Sequence, residues 1–258
     1  MQKMVKKSNI MSKKGQYGPK SILFRQYFND NVCLINCYTK VEIMVFNKDI
    51  TKAELENAIA NNSEHQLLEV LKKNSFLFYD LYSRKFGIQP NFSEVPFGSK
   101  YRCDFCWLND NSDGPEWVLV EIEKPDITLF KANGDPTYEL NHAIEQVKSW
   151  ERYFQQNPLE KSRIFGAVSR FRLILVVGTA ESWQEPIAAS WRAHNNSTST
   201  IEIRSMNSFS KSLAHYNEKP ENLSFEEHPK SMKSSDLSTY CRDYSYLIHW
   251  KNVLTSNV

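Results

Sequence analysis

The chain lacks several features that would place it in an easily recognised class. No apolar run approaches the ~20 residues needed to cross a bilayer, and the lysine-containing N-terminal segment lacks the apolar stretch of a secretory signal. A glycine-rich phosphate loop is also missing, so nothing favours a reaction driven by a nucleoside triphosphate. We therefore expect a cytoplasmic protein without a membrane span.

Cysteine content and net charge exclude further classes. The five cysteines are odd in number, and a chain of 258 residues is too large to depend on disulfides, so reduced thiols are expected. The formal net charge is only +2, so any nucleic acid must be bound by a local patch. One basic patch lies in residues 1–20, which contain lysines and no acid. This segment is either an arm that touches phosphates or a solubilising terminus.

The apolar pattern changes from helical to strand periodicity and back, which predicts an α/β fold with helices on a mixed sheet. The predicted strands are 91–97, 101–108, 117–124, 173–177 and 201–203. Capping-box sequences at Thr51 and Ser63 predict two early helices. A third helical stretch is predicted from Phe76 up to the breakers Gly87 and Pro90, and further helices are predicted at 138–155 and 186–194.

Both ends of the chain differ from this centre. A strand pair is predicted at 32–46, and the polar stretch 211–233 is typical of a loop or linker. A last helix at 237–254, capped by Ser234, Ser235 and Asp236, is expected to dock on the domain or on a partner subunit. The resulting domains are a basic extension (1–50), a central α/β domain (51–206) and a linker with a C-terminal helix (207–258).

Three acidic residues stand out in the central strands. Strand alternation places Asp104 on the polar face of its strand, and Glu121 and Glu123 on one face of the next strand, with Lys124 pointing the other way. Adjacent antiparallel strands can bring these carboxylates together, where their repulsion favours a bound cation such as Mg²⁺. Acids at strand ends are also common without any metal.

Other polar residues near this hairpin have simpler interpretations. Gln146 lies at the edge of the apolar stripe of its helix, where it either reaches the carboxylates or is an ordinary border residue. Cys103 and Cys106 are three residues apart, which sends them to opposite faces of a strand and favours structural cysteines over zinc ligands. Glu64 is expected to be a favourable charge at a helix start, and His142 has no evident catalytic partner.

Seven short segments follow one another in a distinctive order between about residues 60 and 180. They are Phe86–Gly87, Glu94–Gly98, Tyr101–Phe105, Val120–Pro125, Leu129–Phe130, Gly134–Pro136 and Leu140–Trp150. Their order resembles the Shedu family, a branch of the PD-(D/E)XK nuclease superfamily implicated in bacterial defence against phages.

The resemblance implies a restriction-endonuclease-like core, with 51–206 as the nuclease domain. It further implies that Asp104 and Glu121 hold Mg²⁺ or Mn²⁺, that Gln146 orients substrate or water, and that the substrate is DNA. A homo-oligomer and a phage-derived trigger are also implied. Glu123 departs from the superfamily pattern, which has lysine there; it is expected to be a metal ligand or general base. Lys124 could substitute only if a bulge rotated the strand.

Three hypotheses follow from these observations. The first is a divalent-metal-dependent endonuclease with Asp104, Glu121 and Glu123 at its centre. The second is a catalytically degenerate module that binds DNA or senses a phage component. The third is a structural subunit that self-associates through its terminal helix.

Overall fold

The computed structural model describes residues 47–83, 88–218 and 228–256. The predicted strand pair at 32–46, the basic segment 1–20 and the Phe86–Gly87 motif lie outside these residues. All of the described residues belong to one unit that runs from Met44 to Val258.

A six-stranded mixed sheet organises the described part of the chain, with helices on both of its faces. The strand order is β5-β4-β3-β2-β1-β6, with antiparallel pairing of β1, β2 and β3 and parallel pairing elsewhere. The predicted α/β fold with a mixed central sheet is therefore confirmed. The strands are β1 (Asn91–Phe97), β2 (Tyr101–Asn111), β3 (Gly114–Ile122), β4 (Arg170–Val176), β5 (Ile201–Arg204) and β6 (Met232–Lys233).

The helices follow capping signals in most cases. Ser63 and Thr137 accept hydrogen bonds from the backbone of the first turn of α2 and α3, as N-cap residues do. The helices are α1 (Lys48–Ala60), α2 (Glu64–Lys73), a 3₁₀ helix (Ser75–Leu81), α3 (Tyr138–Gln156), α4 (Pro158–Phe165), α5 (Pro186–Thr198), α6 (Asn207–Glu218), α7 (Ser234–Asp243) and α8 (Ser245–Thr255).

The sheet separates two apolar cores. On one face, α3, α4 and the C-terminal helices cover residues such as Leu119 and Leu175. On the other face, α2, the 3₁₀ helix and α6 cover residues such as Val120 and Ile174. The alternation of buried residues along β3 and β4 therefore follows the two-residue period of a strand.

That period fails at one point shared by β1 and β2. Cys103 and Cys106 are three residues apart, yet both belong to the same apolar core. The prediction that they occupy opposite faces is therefore wrong. Glu94, which stands opposite Asp104 between two paired positions, has a φ of +53°, a conformation that L-residues seldom adopt. Both strands switch faces at this pair, and Asp104 is left at the switch.

Several predicted boundaries also need correction. Helix α1 begins at Lys48, because Asn47 caps it by accepting a hydrogen bond from Ile50 N–H, and not at a Thr51 cap. The second and third strands are longer than predicted and are joined by a turn of only two residues, because β2 and β3 stay paired as far as Asn111 and Gly114. Helices α4 and α6 were not predicted, and α6 replaces part of the expected linker because Phe209 and Leu213 are buried.

The predicted C-terminal helix is two helices that dock on the domain itself. Leu237 and Leu247 are buried in the core that also holds α3, which leaves Ile248 as a large apolar residue that is 46% exposed. Tyr240 and Tyr244 hydrogen-bond to Gln89, at distances of 2.8 and 2.9 Å. Within the described ranges, no helix combines the length and apolarity that a bilayer crossing requires.

Candidate active site

Strands β2 and β3 separate at the position of the first acidic residue. Their pairing runs from Asn111–Gly114 to Phe105–Val120 and then stops, one step before Asp104 and Glu121. The Asp104 carboxylate instead accepts a hydrogen bond from Ile122 N–H at 2.8 Å, which takes the place of a backbone pairing. A fork therefore forms between the two strands, and its two sides carry Asp104 and Glu121.

Glu121 is held by Gln146 through one carboxylate oxygen. The Gln146 amide donates a hydrogen bond to Glu121 Oε1, so this glutamine positions the carboxylate, beyond the role in orienting substrate or water implied by the resemblance. The other oxygen, Oε2, is buried and has no hydrogen-bond partner among the described residues. Since Glu121 is only 8% exposed, burying this charged oxygen without a donor or a cation is costly.

The fork opens into a polar cleft with a volume of about 430 Å³. All three predicted carboxylates line it, together with a fourth, Glu64, from the first turn of α2. The complete lining is Glu64, Lys100, Arg102, Asp104, Glu121, Ile122, Glu123, His142 and Gln146. Glu64 thus faces the cleft, in addition to being a favourable charge at a helix start.

A loop contact places Glu64 at the cleft. The side-chain amide of Asn62 hydrogen-bonds to both backbone groups of Asp126, donating to its carbonyl at 2.9 Å and accepting from its N–H at 2.8 Å. Asn62 itself has a φ of +47°, and Ser63 then caps α2. The start of α2 is thereby tied to the segment that leaves β3 after Glu123.

Three carboxyl groups of the cleft, those of Asp104, Glu121 and Glu123, resist ionisation. Burial raises the pKa of Asp104 to about 7, against the hydrogen bond from Ile122 N–H, and nearby Glu64 adds to the rise. Burial and the Asp104 charge raise the pKa of Glu121. Burial and the Glu64 charge raise the pKa of Glu123. A cation placed among these groups would relieve the penalty that each pays for its negative charge.

Basic residues at the cleft differ from the sequence prediction. Lys124 is exposed and does not line the cleft, so no strand bulge turns it inward. Lys100 and Arg102, which precede Asp104, do line it. Sequence reasoning overlooked Lys100; its place in the short connection before an acidic strand was the available signal. His142 also lines the cleft, one turn before Gln146 on α3.

The donor set suits a hard divalent cation. Carboxylate oxygens are the ligands that Mg²⁺ and Mn²⁺ prefer, and the unpartnered Glu121 Oε2 supplies a buried donor. Over residues 47–83, 88–218 and 228–256, no three histidine, cysteine, aspartate or glutamate side chains are already grouped to hold one ion. Mg²⁺ needs only one or two protein carboxylates, since it keeps several waters, and the cleft residues therefore fit it.

Comparison with known proteins identifies the family. None of the curated proteins compared with the chain matches it. The family described as Shedu protein SduA, C-terminal, matches residues 61–209, which is more than half of the chain. The matched span contains every residue that lines the cleft. The chain therefore belongs to the Shedu SduA C-terminal family.

Proposed function

We propose that this protein is a divalent-metal-dependent nuclease that hydrolyses phosphodiester bonds of DNA in bacterial defence against phages. Membership of the Shedu SduA C-terminal family supports a role in that defence. We further propose that the domain belongs to the PD-(D/E)XK superfamily, that it acts in the cytoplasm as a homo-oligomer, and that a phage-derived component triggers it. Asp104, Glu121 and Glu123 would hold Mg²⁺ or Mn²⁺.

One observation carries the proposal: a buried carboxylate oxygen without a partner lies in a cleft of four acidic side chains. Burying a carboxylate without compensation is costly, and an ordinary folded domain avoids it. Glu121 Oε2 is in that situation, and Asp104 stands across the fork from it. A ligand that neutralises both groups therefore accounts for an arrangement that packing alone does not favour.

The protein's own residues divide the chemistry between them. A divalent ion held by the carboxylates would act as a Lewis acid toward the charge that develops on a phosphodiester. Gln146 keeps Glu121 in place, and Ile122 N–H does the same for Asp104. Glu123 has a raised pKa and is only half-buried, which suits it to accept the proton that an attacking water loses.

Cleavage of supercoiled plasmid in Mg²⁺ or Mn²⁺ tests the proposal. Once a phage lysate supplies the trigger, we expect nicked or linear product from the wild-type protein and at least about a hundredfold less from Asp104→Asn and Glu121→Gln in the same lysate, as for other losses of transition-state stabilisation. Glu139→Gln is the matched control, since Glu139 is an exposed acid on α3 that does not line the cleft. Undiminished activity in either cleft variant would refute the assignment of these residues.

A second function has specific support. The glutamate at position 123 and the lack of a preassembled three-ligand group, within the described residues, favour a degenerate nuclease fold that only binds DNA. Its signature is salt-sensitive DNA binding by the wild-type protein without cleavage in any divalent metal. Binding of Mn²⁺, measured by calorimetry in the absence of DNA, separates an empty pseudo-site from a metal site awaiting its trigger.

A further inference from the structure

The cleft has more acidic than basic side chains, which is unfavourable for binding a DNA substrate. Four carboxyl groups line it, whereas lysine and arginine contribute only Lys100 and Arg102. A phosphodiester brings another negative charge, so a cation is needed on the substrate's side of the cleft. The question is which of the two basic side chains is available for that contact.

Arg102 is already engaged. Its guanidinium lies 3.4 Å from a carboxylate oxygen of Glu94, whose other oxygen is 2.9 Å from the Lys72 ammonium. Lys100, by contrast, has no ion pair or hydrogen bond with any described residue, and its side chain is exposed. An unpaired ammonium on the rim of an acidic cleft is free to bind an incoming anion.

The backbone that carries Lys100 is well placed for this contact. Lys100 is the last residue of the turn between β1 and β2, directly before the strand that carries Asp104. Gly98 opens the turn with a φ of +62°, and a Cβ atom there would lie 2.6 Å from the Tyr153 hydroxyl. The turn therefore lies against α3, the helix that also supplies Gln146. This packing holds the turn beside the carboxylates, and the Lys100 side chain is exposed there.

We propose that Lys100 is the phosphate contact of the cleft, with its ammonium paired to a non-bridging oxygen of the DNA backbone. The inference rests on the proposed function, which it deepens by assigning the cation that position 123 does not supply. Lys124, the neighbour of Glu123 in sequence, is exposed but does not line the cleft and is not expected to share this role.

The salt dependence of DNA binding tests the assignment. A short fluorescent duplex is titrated with the full chain in Ca²⁺, which occupies carboxylate sites as a hard cation, and anisotropy is recorded over a range of salt concentrations. We expect Lys100→Met to reduce the slope of log affinity against log salt by about 0.9, the value for one lost phosphate contact. Lys100→Arg keeps the charge and should keep the wild-type slope.

Two further variants compare Lys100 with the exposed Lys124 and check that the neutral replacement chosen does not decide the result. Lys124→Met should bind like the wild-type protein, and Lys100→Gln, made in parallel, should behave like Lys100→Met. A wild-type slope in both neutral Lys100 variants, or an equal loss in Lys124→Met, overturns the role of Lys100 while leaving the nuclease proposal intact. A wild-type protein that neither binds nor cleaves DNA overturns both proposals together.

Discussion

The two oxygens of the Glu121 carboxylate have different surroundings, because Gln146 hydrogen-bonds to only one of them. The amide donates to Oε1, whereas Oε2 stays buried without a partner among the described residues. Groups that orient a metal ligand typically contribute a factor of about 10–100 to metal affinity. Gln146 is therefore as important to the site as a direct ligand, although we expect it to touch no ion.

Replacing Gln146 should weaken metal binding without removing a ligand. In Gln146→Leu, Glu121 Oε1 loses its donor and the carboxylate can rotate, so we expect Mn²⁺ affinity to fall about 10–100-fold in calorimetry. Gln155→Leu, which changes an exposed glutamine on the same helix, is the control. Equal Mn²⁺ affinities in the two variants would contradict the positioning role.

The raised pKa of Asp104 predicts a specific dependence of stability on pH. Because its folded-state pKa, about 7, exceeds its ordinary value of 3.8, ionisation of Asp104 is costlier in the folded protein than in the unfolded one. The resulting loss of stability is absent below about pH 4, develops as the pH rises toward 7 and is complete above it. Glu64 and Glu123 increase this cost, and Arg102 reduces it.

Asp104→Asn should remove that dependence, because the amide oxygen still accepts from Ile122 N–H without carrying a charge. In metal-free buffer we expect the unfolding free energy of the variant to rise relative to that of the wild-type protein between pH 4 and 7. Each unit of pKa difference corresponds to about 1.4 kcal/mol. Urea unfolding across this pH range measures the difference. Asp126→Asn, at an exposed position, should show no such gain, and Mg²⁺ should narrow the gap by stabilising the wild-type carboxylates.

At the scale of elements, the loop between α1 and α2 holds Glu64 at the cleft. Asn62→Gly tolerates the positive φ but loses both hydrogen bonds to Asp126. A typical intramolecular hydrogen bond contributes about 0.5–1.5 kcal/mol, so for two bonds we expect a loss of about 1–3 kcal/mol in urea unfolding.

A matched variant on the same loop distinguishes the loss of the hydrogen bonds between Asn62 and Asp126 from other consequences of changing the loop. Asn61→Ala removes one exposed bond, to Gln66, on the same loop and should leave Mn²⁺ affinity unchanged. Asn62→Gly should lower it, since Glu64 then loses its fixed place beside Glu123. An unchanged Mn²⁺ affinity in Asn62→Gly would mean that α2 keeps Glu64 in place without the hydrogen bonds between Asn62 and Asp126.

Elements with a regular period could be predicted from the sequence, and elements with a local irregularity could not. Helix α3 was predicted at 138–155 and spans Tyr138–Gln156, and Ser63 caps α2 as expected. The face switch at Glu94 and Asp104 was not predictable, because a positive φ in a glutamate leaves no mark on the apolar pattern. Helix α6 was missed because its buried residues are few and lie among polar neighbours.

The candidate site shows the same division. The two acidic strands predicted that Asp104, Glu121 and Glu123 meet, and all three line the cleft. The sequence left two interpretations of Gln146 open, and the structure places it at the cleft. Lys100 was missed, although it directly precedes an acidic strand, because nothing in one sequence says that its turn lies against α3. The position of Glu64 depends on the contact between Asn62 and Asp126, which are far apart in sequence.

For the whole molecule, the docking of the C-terminal helices predicts that substitutions at two adjacent residues have different effects on stability. Leu247 is 1% exposed and Ile248 is 46% exposed. Leu247→Ala should cost about 2–5 kcal/mol of unfolding free energy because it creates a cavity in the core, whereas Ile248→Ala should cost little. A fall in molecular mass by light scattering in Ile248→Ala alone would instead support self-association through α8.

The fork between β2 and β3 also implies that the two sides of the cleft differ in how readily they open. The floor of the cleft belongs to β3, which stays paired with β4 as far as Ile122 although its pairing with β2 ends at Val120, whereas the lip is the turn at 98–100. Strands inside a sheet exchange their amide hydrogens near the rate of global unfolding, and short turns exchange far faster. Deuterium exchange should therefore label the lip long before the floor, so that the backbone under the carboxylates stays protected while the amides of the turn exchange.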